Sequence, residues 1–337
     1  MSFNRQIAGL SLVGVLALSS GCAWFAPKPP MEAVAMLQAG ASNLMAAPSH
    51  ESETKMNLHL NGKDETGKAQ NIRFDMKMTG DSSSDLTKKT FDVNSLITAS
   101  LIMNQDKYDF GAEIRGNQKN LFVALQVLSG KEIPQEMVSG VIGKWWKIPL
   151  PENYADELSG AAGVPYTAKI QQAMKDAALY LTDISYKGVD AIRGLKSYHY
   201  RAQIDRVKVK AELEKYLAEQ GNEMTAQEKQ DLNESFANAT VDIDYWITMD
   251  TQTLNQVKLD FKLNKLIGDA GKSVGKGSAT IDLTYFNFGK VVVVKEPAVA
   301  EEFDLFGMLG SMMGGMPELQ DPVEAGKDPS TGEKIKK

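Results

Sequence analysis

The sequence predicts an α+β fold that is mainly β, an antiparallel sheet of about ten strands with one wet and one apolar face, covered by only three or four helices. Three observations lead there. Strand after strand alternates apolar and polar side chains at period two, the pattern of a half-buried antiparallel sheet. Helical periodicity is confined to a few stretches, so a doubly wound parallel fold is excluded. The 337 residues, 43% hydrophobic and 24% charged, have the composition of an ordinary globular chain.

The elements follow in chain order. Met31–Ala47 reads as a first helix, with Val34, Leu37, Ala41, Leu44 and Met45 on one face and Pro48 ending it. Met56, Leu58 and Leu60 then alternate with Lys55, Asn57 and His59, and after an NGKDETGK turn Ile72, Phe74, Met76 and Met78 alternate with Arg73, Asp75 and Lys77. Val93–Met103, Tyr108–Arg115, Leu121–Leu128 and Trp145–Leu150 continue the series. Tyr166–Leu181 reads as helix, Ile184–Asp190 and Lys196–Asp205 as strands. Val207–Phe236 reads as an insertion of two amphipathic helices joined at QGNEMT, with Thr225 as N-cap and Glu228 completing a capping box. The charge of this insertion is a solvated face. Val241–Met249, Val257–Leu263 and Ile281–Tyr285 alternate most cleanly. The run Tyr285–Phe303 reads as a last strand entering Pro297. Beyond it Phe303, Phe306, Leu309, Met313 and Met316 make a helical stripe weakened by glycines, and the polar tail after Pro317 reads as disordered.

Location is read from the first 22 residues. Arg5 is the only charge, Ile7–Leu18 is an apolar run too short to span a bilayer but long enough for a signal peptide, and Ser19-Ser20-Gly21 lead to Cys22, the single cysteine of the chain. This resembles the lipobox of bacterial lipoproteins, with Ser19 standing where leucine is commoner. The resemblance implies a signal peptide over residues 1–21, acylation and cleavage at Cys22, and a tether over residues 22–30 whose prolines keep it stiff and about 25 Å long. The protein is then expected in the bacterial cell envelope, held to a membrane by acyl chains and facing away from the cytoplasm.

Chemistry is limited by what the sequence lacks. A net charge of -6 supplies no basic stripe for nucleic acid. One cysteine excludes a disulfide framework and a CxxC metal site. Leu266 breaks the P-loop imitation ahead of Gly268–Ser273, and Thr280 breaks the GxGxxG begun at Gly275, so both read as hairpin loop. His50, His59 and His199 are far apart and read as solvated. No enzyme, catalytic residue, metal or cofactor is expected.

The order of these features, together with the segment Tyr245–Leu263 (YWITMDTQTLNQVKLDFKL) and the following YFNFGKVVVVKEPAVAEEF, resembles the LolA/LolB lipoprotein carriers and the mycobacterial LppX/LprG lipoproteins. Over residues 31–302 the resemblance implies a curved, incomplete barrel that wraps helices and holds acyl chains. The insertion at about 207–236 and the segment 303–337 depart from it. Lining candidates on the apolar phase are Met56, Met76, Met78, Met103, Tyr200, Tyr245, Phe261 and Tyr285, methionine suiting an adaptable apolar surface. Two readings of that face stay open: a lipid or other hydrophobic ligand occupies it, making the protein a carrier or chaperone, or it is a fully packed core and the protein serves structure or protein interaction. Asp250 and Thr253 read as turn residues, structural in role.

Overall fold

The computed structural model describes residues 27–63, 67–85, 90–131, 133–150, 179–219, 224–267 and 273–302. The chain divides after Glu301 into a unit that carries the sheet and a second unit, 302–337, of which only Glu302 is described.

In chain order the elements are α1 (Ala33–Ala46), β1 (Ser49–Lys63), β2 (Ala69–Asp85), β3 (Thr90–Met103), β4 (Asp106–Asn117), β5 (Asn120–Gly130), α2 (Gln135–Ser139), β6 (Trp145–Pro149), β7 (Leu181–Ile192), β8 (Leu195–Ile204), α3 (Arg206–Glu219), α4 (Ala226–Asn238), β9 (Ala239–Thr248), β10 (Leu254–Ile267), β11 (Ser273–Phe286) and β12 (Glu301–Glu302). The strands form one open, curved sheet in the order β12-β6-β5-β4-β3-β2-β1-β11-β10-β9-β8-β7. The named strand pairings are antiparallel. The mainly β, antiparallel class read from the alternation is therefore the class observed, with twelve strands where about ten were expected. The expected helix Tyr166–Leu181 falls almost wholly outside the described residues, and β7 already begins at Leu181.

Register carries the apolar phase across the whole sheet. One row runs Met56, Met76, Ala99, Phe110, Leu128 on one side of β1 and Ile281, Leu259, Ile243, Ala202 on the other. The next row joins Met78, Ile97 and Ala112 through Thr54 to Leu283, Val257, Tyr245, Tyr200 and Tyr186. A one-residue slip in any strand would turn its apolar set to the opposite face, so the pattern itself selects the register.

The helix α1 lies on this apolar face over β7, β9 and β10. Met36 and Leu44 close with Tyr198, Tyr200, Ala202, Tyr245, Ile247 and Leu254 into the buried core. Contact is close because Gly40 has no side chain: a Cβ there would lie 3.2 Å from the Ile247 side chain and 3.3 Å from the Leu254 backbone nitrogen. The paired helices follow the expected insertion, and the Thr225 carbonyl accepts the Lys229 N–H at the start of α4, in the N-cap position. The Arg206 guanidinium donates to the carbonyls of Phe236, Ala237 and Ala239, satisfying the exposed end of α4.

Two expectations are corrected. Gly275 and Gly277 lie within β11, not in a loop, and pair with Gly62 and Leu60 of β1. The expected last strand is not continuous: residues 287–300 between β11 and β12 form no strand. β11 ends at Phe286, Asn287 turns the chain with φ 52° and Gly289 with φ 79°, and the segment crosses the strand ends. Ser49 donates to the Lys290 carbonyl at 2.6 Å, Asn94 to that of Val293 at 3.2 Å and Arg115 to that of Lys295 at 2.9 Å. These bonds tie the segment to β1, β3 and β4 through side chains rather than through a strand ladder.

The edge strand β7 is bulged twice, between Thr182 and Ser185 and between Tyr186 and Gly188, with Asp183 at φ 51° and Gly188 at φ 130°. Among the described residues, no helix is long and apolar enough to cross a membrane.

Candidate ligand-binding face

The structure places all eight lining candidates on the face that carries α1, in two different environments. Tyr200 is 1% exposed and Tyr245 fully buried, their rings stacked 5.0 Å apart beneath α1, with the Tyr245 hydroxyl donating to the Ala33 carbonyl at 3.2 Å. Burial pushes both phenols up from their ordinary pKa. These two belong to closed core. Tyr285 packs against the same core, edge to face with His50 at 5.4 Å. Burial lowers the pKa of His50, which favours the uncharged ring, and its Nε2 faces the Ser82 hydroxyl at 3.3 Å.

Met56, Met76, Met78 and Phe261 are only half-buried, and Met103 at one end of β3 is 39% exposed. They stand among Leu58, Phe74, Leu101, Tyr108 and Phe110, the last 41% exposed. Among the described residues, the apolar phase continues beyond α1 across β1–β5, β10 and β11. In the rows through Leu58, Met56 and Thr54 no paired position carries a charged side chain, and only Asp106 does so in the row through Leu60. A broad surface with so little charge suits apolar side chains or an apolar ligand rather than an ionic partner.

The opposite face is the charged one. Glu53, its side chain 11% exposed, receives Lys55 and Lys77 at 2.9 Å and Arg193 at 2.8 Å. Hydrogen bonds from Lys55 and Lys77 bring the Glu53 carboxyl down to about 2. Arg193 reaches it from the tip of the β7–β8 hairpin, where Arg193 (φ 49°) and Gly194 (φ 84°) form a tight turn, and its guanidinium also lies 4.1 Å over the Phe286 ring. A non-glycine residue at positive φ is held here by those contacts. Because the folded value lies below the ordinary 4.5, this carboxylate stabilises the fold above about pH 4.5 and loses that contribution as pH falls towards 2. Its partners are about half-exposed, so each ion pair contributes no more than about 1 kcal/mol. Glu53→Gln is expected to lower stability by about 1–2 kcal/mol at neutral pH and to flatten the acid limb of a stability-versus-pH curve from chemical denaturation.

A second cluster corrects the reading of His199. This ring is not solvated: it stacks 4.4 Å from Trp246, with Nε2 2.8 Å from Asp244 and Nδ1 3.0 Å from Asp190. Trp246 Nε1 donates to the same Asp190 at 2.9 Å, and Arg201 donates twice to Asp244, both at 2.9 Å. Burial works against the Asp244 charge, yet the bonds from Arg201 and His199 hold its carboxyl below the ordinary value. Tryptophan on the polar phase of β9 was the available signal, since an indole there needs a cover and its N–H a partner.

The turn after β9 is structural, as expected, but Thr248 rather than Asp250 anchors it. The Thr248 hydroxyl accepts the Thr253 N–H at 2.9 Å and meets the Thr251 hydroxyl at 2.6 Å, while Asp250 accepts only the adjacent Thr251 N–H. Asn43 of α1 donates to the carbonyls of Thr251 and Gln252, tying helix to turn. Thr248→Val leaves a buried N–H without an acceptor and is expected to cost about 2 kcal/mol; Asp250→Ala should cost about 1 kcal/mol or less. Paired denaturation curves decide the order.

A cavity of about 470 Å³ lies among Glu51, Asp81, Asn94 and Glu113. It is lined by carboxylates already engaged, Glu51 by Lys290 and Asn287, Glu113 by Arg115, and does not open on the apolar rows. Among the described residues no group of acidic, histidine or cysteine side chains could hold a metal ion. Cys22 lies outside the described residues.

No family model and no curated protein matches the chain. Solved structures do. LprF from Mycobacterium bovis aligns over 81% of this chain and all of its own at 14% identity, with a TM-score of 0.36. The Mycobacterium tuberculosis lipoprotein LppX aligns over 78% of this chain and 97% of its own at 12% identity and a TM-score of 0.29. A LolA superfamily protein from Nitrosomonas europaea covers 78% of this chain and 95% of its own at 8% identity and a TM-score of 0.17.

Proposed function

We propose that the protein is an envelope lipoprotein, anchored through acylated Cys22, that holds a lipid or other hydrophobic ligand on the part of its apolar sheet face beyond α1 and serves as a carrier or chaperone for it. One observation carries this reading: among the described residues, the apolar rows keep methionine and aromatic side chains only partly buried across β1–β5, β10 and β11, with Met103 39% and Phe110 41% exposed. A protein stabilising itself alone gains nothing from that exposure, since each such side chain forgoes part of the roughly 1.5–3 kcal/mol that full burial contributes. A flexible thioether surface suits chains of varied shape.

Native mass spectrometry and solvent extraction of the purified protein test the reading. Co-purifying lipid in amounts close to one or two per chain is expected; repeated recovery of ligand-free protein from membranes rich in lipid would sink it. The anchor is tested separately. Cys22→Ala should abolish incorporation of a clickable fatty acid and leave the precursor uncleaved, whereas equal label on both forms would remove the lipobox from the argument.

A further inference from the structure

We propose that Met56, Met76, Met78 and Met103 form an oxidation site on the apolar sheet face, and that their conversion to sulfoxides by hypochlorous acid releases the ligand while the fold stays intact. The proposal rests on the ligand reading above and adds a condition under which the face lets go.

Placement comes first. Met56 of β1 stands directly opposite Met76 of β2, Met78 is the next residue of β2 on the same face, and Met103 ends β3 opposite Ile72. Three of these side chains are half-buried and Met103 is 39% exposed. A small neutral oxidant reaches them with the protein folded. Met36 is the contrast: it is fully buried in the core beneath α1, where only unfolding admits an oxidant. Met31, just ahead of α1 and off the sheet, is 38% exposed and has no part in the face.

The chemistry then sets ligand against water. The thioether sulfur attacks the chlorine of hypochlorous acid, hydroxide departs, and a water molecule replaces chloride on the sulfur. The net change adds one oxygen to sulfur and yields one chloride and one proton, with sulfur losing the electron pair that chlorine gains. A flexible apolar side chain has become a polar one. Along the row through Met56 and Met76, the paired positions Ala99, Phe110, Ile281 and Leu259 carry no hydrogen-bond donor in their side chains. Only water can satisfy the new oxygen there. An acyl chain laid over the row displaces that water and leaves the oxygen unpaired, a cost the empty face does not bear. Oxidation therefore favours the empty protein. Conversely, a ligand in place shields the sulfurs, so the empty protein is the form that oxidises.

Full-length protein, either stripped of lipid or loaded with the fluorescent fatty acid cis-parinaric acid, is treated with hypochlorous acid, and peptide mass spectrometry locates the sulfoxides. In stripped protein the four face methionines are expected to oxidise several-fold faster than Met36. Loading should slow Met56, Met76 and Met78 but not Met31. The oxidised protein should still melt cooperatively, bind parinaric acid several-fold more weakly, and regain binding after treatment with methionine sulfoxide reductases for both epimers. The combined variant Met56→Leu, Met76→Leu, Met78→Leu and Met103→Leu keeps the apolar volume and should bind equally before and after oxidant. Recovery by the reductases decides the same point on the wild type, with no substitution. Equal oxidation of Met36 and the face methionines, undiminished binding by oxidised wild type, or the same loss in the leucine variant overturns the proposal and leaves the ligand reading standing. Wild type that binds no parinaric acid before treatment overturns the ligand reading and the release together.

Discussion

Tyr245→Glu is expected to abolish folding, while Phe261→Glu and Met76→Glu leave a cooperative, folded protein that no longer retains lipid. Tyr245 is fully buried between Tyr200 and α1. A carboxylate there has no cation within reach on a face without charged neighbours, a penalty of several kcal/mol that exceeds what a marginally stable domain can absorb. Phe261 and Met76 stand on the same face but away from α1, half-exposed, where water can solvate a new carboxylate. Thermal melts and extracted lipid, measured on each variant, check both halves. If Phe261→Glu and Met76→Glu also unfold the protein, the face is packed throughout and the ligand reading falls. If they fold and keep their lipid, the ligand lies elsewhere.

Gly40→Leu should cost about 3 kcal/mol, whereas Gly40→Ala should be close to neutral. Replacing glycine in a helix interior gains about 0.5–1 kcal/mol of backbone entropy. Against that, the new Cβ meets Ile247 at 3.2 Å and the Leu254 nitrogen at 3.3 Å, tight enough to require a shift of a few tenths of an ångström. Alanine sets these two effects against each other. Leucine adds three carbons where β9 and β10 leave no room, and overpacking of that kind costs about 1–3 kcal/mol or more. Denaturant midpoints for the two variants separate the terms, and a stabilised Gly40→Leu would show that α1 is not held at contact distance.

Much of the fold was legible because a sheet with one apolar face writes its register into the chain. Val241-Ile243-Tyr245-Ile247 and Val257-Leu259-Phe261-Leu263 could pair in only one phase without exposing the wrong side chains, and they pair in that phase. The valine run 291–294 misled for the opposite reason. β propensity measures fit to a pleated, half-buried surface, and here side-chain donors from Ser49, Asn94 and Arg115 hold the segment across the strand ends at Lys290, Val293 and Lys295 instead. His199 was misread because Asp190, Asp244 and Trp246 reach it from strands 9 to 47 residues away in sequence, a convergence that periodicity does not encode. For the candidate site, alternation named the face correctly but could not separate Tyr200 and Tyr245 from Met76 and Phe261. That distinction depends on where α1 lands, and Gly40, which permits the landing, looks in sequence like a weak point of a helix.

The twice-bulged strand β7 bears on how molecules that carry an open sheet stay apart from one another. A broad antiparallel sheet with a regular bare margin is a template on which a second molecule can add its own strand. At Thr182–Ser185 and Tyr186–Gly188 the backbone steps out of register, so no incoming strand can follow the margin for its whole length. The interruption costs β7 some internal ladder pairing and gives up little else, since β8 holds its other side. Strand addition along that whole margin is thereby interrupted in the backbone, independent of any side chain.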